Sequence, residues 1–206
     1  ECDTCLPEVT IDPNTFSLDG TVSLSNLSIS PNGKFIAYSI SDGGSDWKTW
    51  KVLDLETNRV LEDSIKWTKF SSGNWESDNS GFYYQKYPEP KEVALSEINR
   101  SPKLYFHKIG TPQEEDLLVY ERPDKPNWSW DVQVSEDGQY RILSVGEGTD
   151  DSNRLYIKFV NDSSFTPVVA VLEATYVFLG SKGTDLWFFT NKNSPNGKIV
   201  KLKVNK

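Results

Sequence analysis

The 206-residue sequence contains no methionine, a single histidine and two cysteines, and each scarcity narrows the chemistry available to it. A Ser-His-Asp triad needs a histidine beside a nucleophile. The one histidine, His107, lies in Lys103-Leu104-Tyr105-Phe106-His107-Lys108-Ile109, and no Gly-x-Ser-x-Gly elbow occurs anywhere. Flanked by Phe106 and Lys108 on an expected outer strand, His107 reads as a surface or rim residue. The cysteines form Cys2-Asp3-Thr4-Cys5. Such a pair serves redox chemistry in a thioredoxin-like setting, or zinc when two further ligands exist. Neither setting is present, so the pair reads as an incidental terminus, with a local disulfide as the alternative. The absence of methionine leads us to expect a processed, trimmed or partial chain, and residues 1–6 are expected to be a disordered tail.

Basic residues are also few. Lys and Arg total 22 against 30 Asp and Glu, giving a net charge of −8. Phosphate-binding surfaces need clustered cations, so nucleic acid is excluded as a partner. No apolar run approaches the roughly 18 residues that span a bilayer, which argues against a membrane partner. Oxygen-rich loops exist at Asp42-Gly43-Gly44-Ser45-Asp46 and Asp150-Asp151-Ser152-Asn153. Neither has the spacing of a calcium loop, and Asp and Asn close turns by bonding their own backbone. We therefore expect no metal and no cofactor, phosphate loops being absent as well.

What the chain has in quantity is aromatic residues, 13% of the total with seven Trp, nine Tyr and ten Phe, which favours sheet. They follow a recurring pattern: a strand, an Asx/Gly turn, then an aromatic-rich strand. It occurs at Ser28–Tyr38, Glu76–Tyr84, Ser135–Leu143 and Gly180–Phe188. Phe35, Phe82, Tyr140 and Leu186 are then equivalent, at steps of roughly 50 residues, the length of a four-stranded propeller blade. The expected fold is all-β, a partial β-propeller of four-stranded antiparallel blades over residues 7–206. Blades are expected near residues 24–65, 71–121, 129–172 and 175–204, the last with three strands. One orphan D strand precedes them at Pro7–Ile11, and one helical turn is expected at Val93–Ile98 inside an inserted loop. The orphan strand near Glu8–Ile11 either completes the last blade by pairing with Gly197–Val204, closing a small ring, or the chain is an open arc. The tryptophans pack between blades in one reading and form a stacking platform in the other, packing being favoured.

Blade topology supplies the sharpest expectation. B–C loops and D-to-A connections emerge on one face, A–B and C–D turns on the opposite face. Asp46, Phe70, Gly146 and Thr149 therefore share a face, with the Asn32-Gly33 and Asp137-Gly138 turns opposite. That face carries the longer loops, as binding faces do.

The detailed residues resemble a known family. Ser30-Pro31-Asn32-Gly33-Lys34-Phe35-Ile36-Ala37-Tyr38-Ser39 followed by Gly44-Ser45-Asp46-Trp47 is similar to the N-terminal propeller of prolyl oligopeptidases. So are Lys69-Phe70-Ser71 running to Trp75, Gly110-Thr111-Pro112, Glu147-Gly148-Thr149-Asp150 and Ser194-Pro195-Asn196, in order along nearly the whole chain. The resemblance implies a serine peptidase cleaving short peptides after proline. In that family a seven-bladed propeller covers an α/β-hydrolase domain that holds the triad, and restricts entry to oligopeptides. This chain resembles about half of the propeller, which favours the open arc. Implied partners are the hydrolase domain and an oligopeptide substrate, and the localisation the family implies is cytoplasmic, with periplasmic or secreted as the alternatives. Phe70 matches an aromatic lining the substrate site, and Asp46 an acid facing the cavity. The family's substrate-facing arginine and cysteine in the third-blade loop become Gly146 and Thr149. The expected contribution is gating and lining without catalysis, the alternative being a stand-alone propeller that binds peptides or proteins.

Overall fold

A computed structural model describes residues 6–90 and 99–204. Cys2, Cys5 and the turn expected at Val93–Ile98 lie outside them. Sixteen strands are present among the described residues. The first blade contains β1 (Val22–Ile29), β2 (Phe35–Asp42), β3 (Lys48–Asp54), β4 (Arg59–Val60) and β5 (Ile65–Thr68). The second contains β6 (Asn74–Trp75), β7 (Gly81–Lys86), β8 (Lys103–Lys108) and β9 (Leu117–Tyr120). The third contains β10 (Trp128–Val134), β11 (Tyr140–Glu147), β12 (Arg154–Phe159) and β13 (Thr166–Val169). The last contains β14 (Tyr176–Lys182), β15 (Asp185–Thr190) and β16 (Lys198–Lys203). All pairings are antiparallel between sequence neighbours, apart from the β3–β5 and β5–β7 steps that skip the two-residue strands.

The repeat in the sequence is one turn built three times. In the first blade Gly33 N–H donates to Ser30 O at 2.8 Å, Lys34 N–H to Asn32 Oδ1 at 3.0 Å, and Ser30 N–H to Phe35 O at 2.9 Å. In the third, Gly138 N–H donates to Ser135 O at 2.8 Å, Gln139 N–H to Asp137 Oδ1 at 3.1 Å, and Ser135 N–H to Tyr140 O at 3.0 Å. The second blade repeats this with Asn79, Ser80 and Glu76. The residue that closes the turn, fourth in it, is left-handed each time, with φ of 71° at Gly33, 67° at Gly138 and 65° at Asn79. Gly and Asn tolerate that region, which is why this turn is written as Asx followed by Gly or Asn.

Hydrophobic packing lies between blades. Trp50, Val52 and Ile65 of the first blade meet Trp75, Phe82 and Tyr84 of the second. Leu104 of the second meets Trp130, Val132 and Leu143 of the third. Ile142, Leu155 and Ile157 of the third meet Leu186 and Phe188 of the fourth. Burying each such side chain contributes about 1.5–3 kcal/mol, so adjacent blades depend on one another. The seam between blades one and two is also polar at its edge, where Trp75 Nε1 donates to Ser28 O at 3.0 Å.

Two expectations about strands need correction. Pro7–Ile11 forms no strand, because β16 pairs with β15 alone and no ladder receives the N-terminal segment. The ring is therefore not closed. At the two ends of the arc, Leu27 and Ile29 on β1, and Val177, Leu179 and Ile199 on the last blade, are exposed. The fourth strand of the first blade, expected as one run over Val60–Ile65, is split into β4 and β5. The intervening residues turn inward to bury Asp63 at 3% exposure. No helix of the described residues is long and apolar enough to cross a membrane.

Candidate functional site

The connection from β5 to β6 carries Phe70, held against its own preference. Its φ is 49°, a left-handed conformation that a bulky side chain rarely adopts. Such a residue stores on the order of 1–3 kcal/mol and persists only where its surroundings over-determine it. Those surroundings are explicit. Thr68 Oγ1 donates to Lys48 O at 3.0 Å, fixing the strand before it. Gln85, buried on β7, donates its backbone N–H to Ser71 Oγ at 3.1 Å and its Nε2 to Lys69 O at 3.4 Å. The same amide accepts from Trp130 N–H at 2.6 Å and donates to Tyr87 Oη at 3.1 Å. One glutamine thus ties the Phe70 loop to the third blade. Phe70 is 68% exposed, so packing does not explain it.

Phe70 forms one wall of a cavity of about 560 Å³ between the second and third blades. Tyr87 and Asn99 stand beside it. Asn127, Trp128, Ser129, Trp130 and Asp131 come from β10 and the residue before it, and Ser144, Gly146, Gly148 and Thr149 from β11 and its loop. Phe70, Gly146 and Thr149, predicted to share a face, are brought together here. At Gly146 an added Cβ would lie 2.7 Å from Ser129 Oγ, so a larger residue there would have to turn the Ser129 hydroxyl aside. Trp128 carries cations over its ring: the guanidinium of Arg154 lies 4.4 Å and that of Arg122 5.0 Å from its centroid. Glu147 orders this corner, accepting from Trp128 Nε1 at 3.1 Å and from Arg154 Nη2 at 2.7 Å. The Arg154 pair holds the Glu147 carboxyl below its usual range.

Asp46 does not line the cavity. It is exposed in the β2–β3 loop, and its charge acts on Lys69, the residue before Phe70. Lys69 is buried at 4% exposure, lies 3.8 Å from the Trp47 ring centroid and donates to Asn99 Oδ1 at 2.6 Å. Burial lowers the Lys69 pKa and Asp46 partly restores it. Asp46 therefore reaches the cavity through Lys69 and Asn99 rather than by contact. The oxygen-rich loops spend their carboxylates on turns and neighbouring hydroxyls: Asp42 Oδ1 accepts from Thr21 Oγ1 at 2.9 Å, and Asp150 Oδ1 from Ser152 N–H at 2.7 Å.

Sequence reasoning missed three acids, Asp131, Asp63 and Asp116, and misplaced the histidine. Asp131 sits within the cavity, and burial pushes its carboxyl up to about 6 against hydrogen bonds from Ser72 and Asn74. An acid among the aromatics of Trp128-Ser129-Trp130-Asp131 was its only sequence signal. His107 is not on the rim: it is fully buried, 0% exposed. Its Nδ1 lies 2.7 Å from Asp116 Oδ1 and its Nε2 2.8 Å from Asp63 Oδ1. Asp63 Oδ1 also accepts from Gly110 N–H at 2.7 Å, and Asp116 Oδ2 from Tyr84 Oη at 2.6 Å. Burial alone would lower the imidazole, but two carboxylates raise it to about 9. Burial likewise raises Asp63, and the bonds from His107 and Gly110 outweigh it and hold that carboxyl low. A charged imidazolium clamped by two acids is saturated and has no free nitrogen to act as a base. This is a structural pin between the first two blades.

The sequence matches the family described as prolyl oligopeptidase, N-terminal beta-propeller domain, over residues 4–206. It is similar to a prolyl endopeptidase of Elizabethkingia miricola, 39% identical over 199 residues, covering 96% of this chain and 28% of that protein. It is also similar to prolyl oligopeptidase A of Amanita bisporigera, 34% identical over 222 residues, covering 97% and 29%. Among solved structures, prolyl oligopeptidase B from Galerina marginata bound to a 25mer macrocyclization substrate superposes with a TM-score of 0.88 at 31% identity, over 95% of this chain and 29% of that one. The chain therefore spans less than a third of the length of the relatives it matches.

Proposed function

The chain belongs to the prolyl oligopeptidase family, as N-terminal β-propeller sequence, and on that premise we propose that its Phe70 face gates and lines an oligopeptide cavity over a separate α/β-hydrolase domain. The observation that carries this reading is Phe70 itself. A bulky aromatic is held in a left-handed backbone and exposed at 68%, beside a cavity of about 560 Å³. Strain kept in place by a buried glutamine has no packing reward within these blades, and strain of that kind clusters at ligand clamps. The cavity is in the size range of small-ligand and peptide pockets. Its walls suit a peptide: a phenyl ring and indoles for apolar and prolyl side chains, with amides and hydroxyls of Asn99, Ser129 and Thr149 for its backbone.

Catalysis is assigned elsewhere. The only histidine is locked between Asp63 and Asp116, and no serine elbow accompanies it. Binding of a fluorescent proline-containing oligopeptide tests the reading. Phe70→Ala is expected to weaken binding about tenfold while the chain alone fails to hydrolyse the peptide. Undiminished binding by Phe70→Ala, or hydrolysis abolished by substituting His107 or a serine, would overturn it.

A further inference from the structure

Among the described residues Asp131 is the one acidic side chain lining the cavity, and none of them pairs a cation with it. It stands on β10 opposite Ser144 of β11. Its Oδ1 accepts from Asn74 Nδ2 of the second blade at 3.1 Å, and Ser72 supplies a further hydrogen bond. Both partners are neutral. The nearby cations are committed: Lys69 donates to Asn99 and covers Trp47, Arg154 pairs with Glu147, and Arg122 with Asp124 at 2.7 Å. Asp131 is half-buried, and an ionised carboxylate partly withdrawn from water with only neutral partners is stabilised by a cation that arrives to pair with it.

We propose that Asp131 is the charge-selecting residue of this cavity, recognising an ammonium or guanidinium group that a peptide carries in beside Phe70. The inference rests on the reading that peptides enter here. The cationic group would come from a lysine or arginine side chain or from the free N-terminus. Phe70 and Trp130 border the same space, so a cation arriving at Asp131 can lay its apolar stem or the adjacent residue along their rings. The only other titratable group lining the cavity among the described residues is Tyr87, pushed up to about 12 by burial. From the packed elements Asp131 is faced by Ser72, Asn74 and Ser144, which do not titrate near neutrality. Of the described lining residues, Asp131 alone therefore changes charge between pH 5 and 7, with its pKa at about 6.

Four probes test this: a lysine-containing proline peptide, its norleucine counterpart, and the N-acetylated form of each, titrated into the wild type, Asp131→Asn and Phe70→Ala at pH 7.5. The wild type is expected to favour a peptide with an accessible cation about tenfold over the one with none. Asp131→Asn, which retains shape and the acceptor for Asn74, should erase that preference and leave the uncharged peptide unaffected. The wild-type preference should also fade at pH 5, giving a readout independent of any variant. Loss of preference on acetylation assigns the N-terminal ammonium, and loss on the norleucine exchange assigns the side chain. Equal wild-type affinity for all four peptides, or a preference surviving in Asp131→Asn, overturns the proposal but leaves the cavity reading standing. No binding of any peptide by the wild type, or binding indifferent to Phe70→Ala, removes both.

Discussion

His107 Nε2 lies 2.8 Å from Asp63 Oδ1, joining the outer strand of the second blade to the turn between β4 and β5 of the first. Both side chains are fully buried. With Asp116 on the other ring nitrogen, the imidazole is held protonated, with its pKa at about 9 against an ordinary 6.5. The stabilisation belongs to the charged form, so it is complete below about pH 6.5 and lost as pH rises through about 9. A shift of this size corresponds to on the order of 3 kcal/mol. Asp63 acts in the opposite sense: its carboxyl is held low, so its share is present above about pH 4 and lost only in stronger acid. Urea denaturation at pH 6, 7.5 and 9 should show wild-type stability falling steadily. In His107→Gln it should be lower by about 3–5 kcal/mol at pH 6 and flat in that range. A wild-type profile level from pH 6 to 9 would refute the charged clamp.

Phe70 separates stability from function. Its φ of 49° costs a phenylalanine what it would not cost glycine. Phe70→Gly is expected to leave stability unchanged or raise it by up to about 1 kcal/mol, because relief of backbone strain offsets the greater freedom of glycine in the unfolded chain. Peptide binding should fall at the same time. Thermal melts paired with peptide titration check it, and a substantial loss of stability would show that the ring packs in the fold.

Arg141 and Glu76 bind the second and third blades. Arg141 Nη2 lies 2.7 Å from Glu76 Oε1 and its Nε donates to Glu76 Oε2 at 3.2 Å, with side chains 13% and 9% exposed. Tyr83 Oη donates to the same carboxylate at 2.7 Å. Arg141→Met leaves Glu76 partly buried without its cation and is expected to destabilise the chain by about 2–4 kcal/mol. The double variant with Glu76→Gln should recover part of that. Chemical denaturation of the pair measures it; equal losses in the single and double variants would mean that no coupling exists.

The repeat was legible because a turn writes its geometry into a few adjacent residues. Ser30, Asn32 and Gly33 each make a bond or angle that their residue type favours, and Ser135, Asp137 and Gly138 repeat them. The shared face of Phe70, Gly146 and Thr149 was legible for a related reason, since strand alternation fixes the end from which each loop leaves. Asp63, His107 and Asp116 were not. His107 and Asp63 are 44 positions apart and meet only because two blades pack. Nothing local to Lys103–Ile109 distinguishes a histidine facing solvent from one facing two buried acids. The split fourth strand of the first blade has the same origin, as the chain leaves the ladder to deliver Asp63. Asp131 escaped notice because a lone acid on a strand normally faces water; the proximity of Asn74 and Phe70, from the neighbouring blade, defines its setting.

Which face meets peptide is the most direct question to put to the chain. An isotope-labelled sample titrated with a proline-containing oligopeptide should show amide shifts concentrated at Phe70, Ser129, Gly146 and Thr149, with the Asn32-Gly33 and Asp137-Gly138 turns silent. Shifts gathered at those opposite turns, or along the exposed ends at Ile29 and Ile199, would contradict the account.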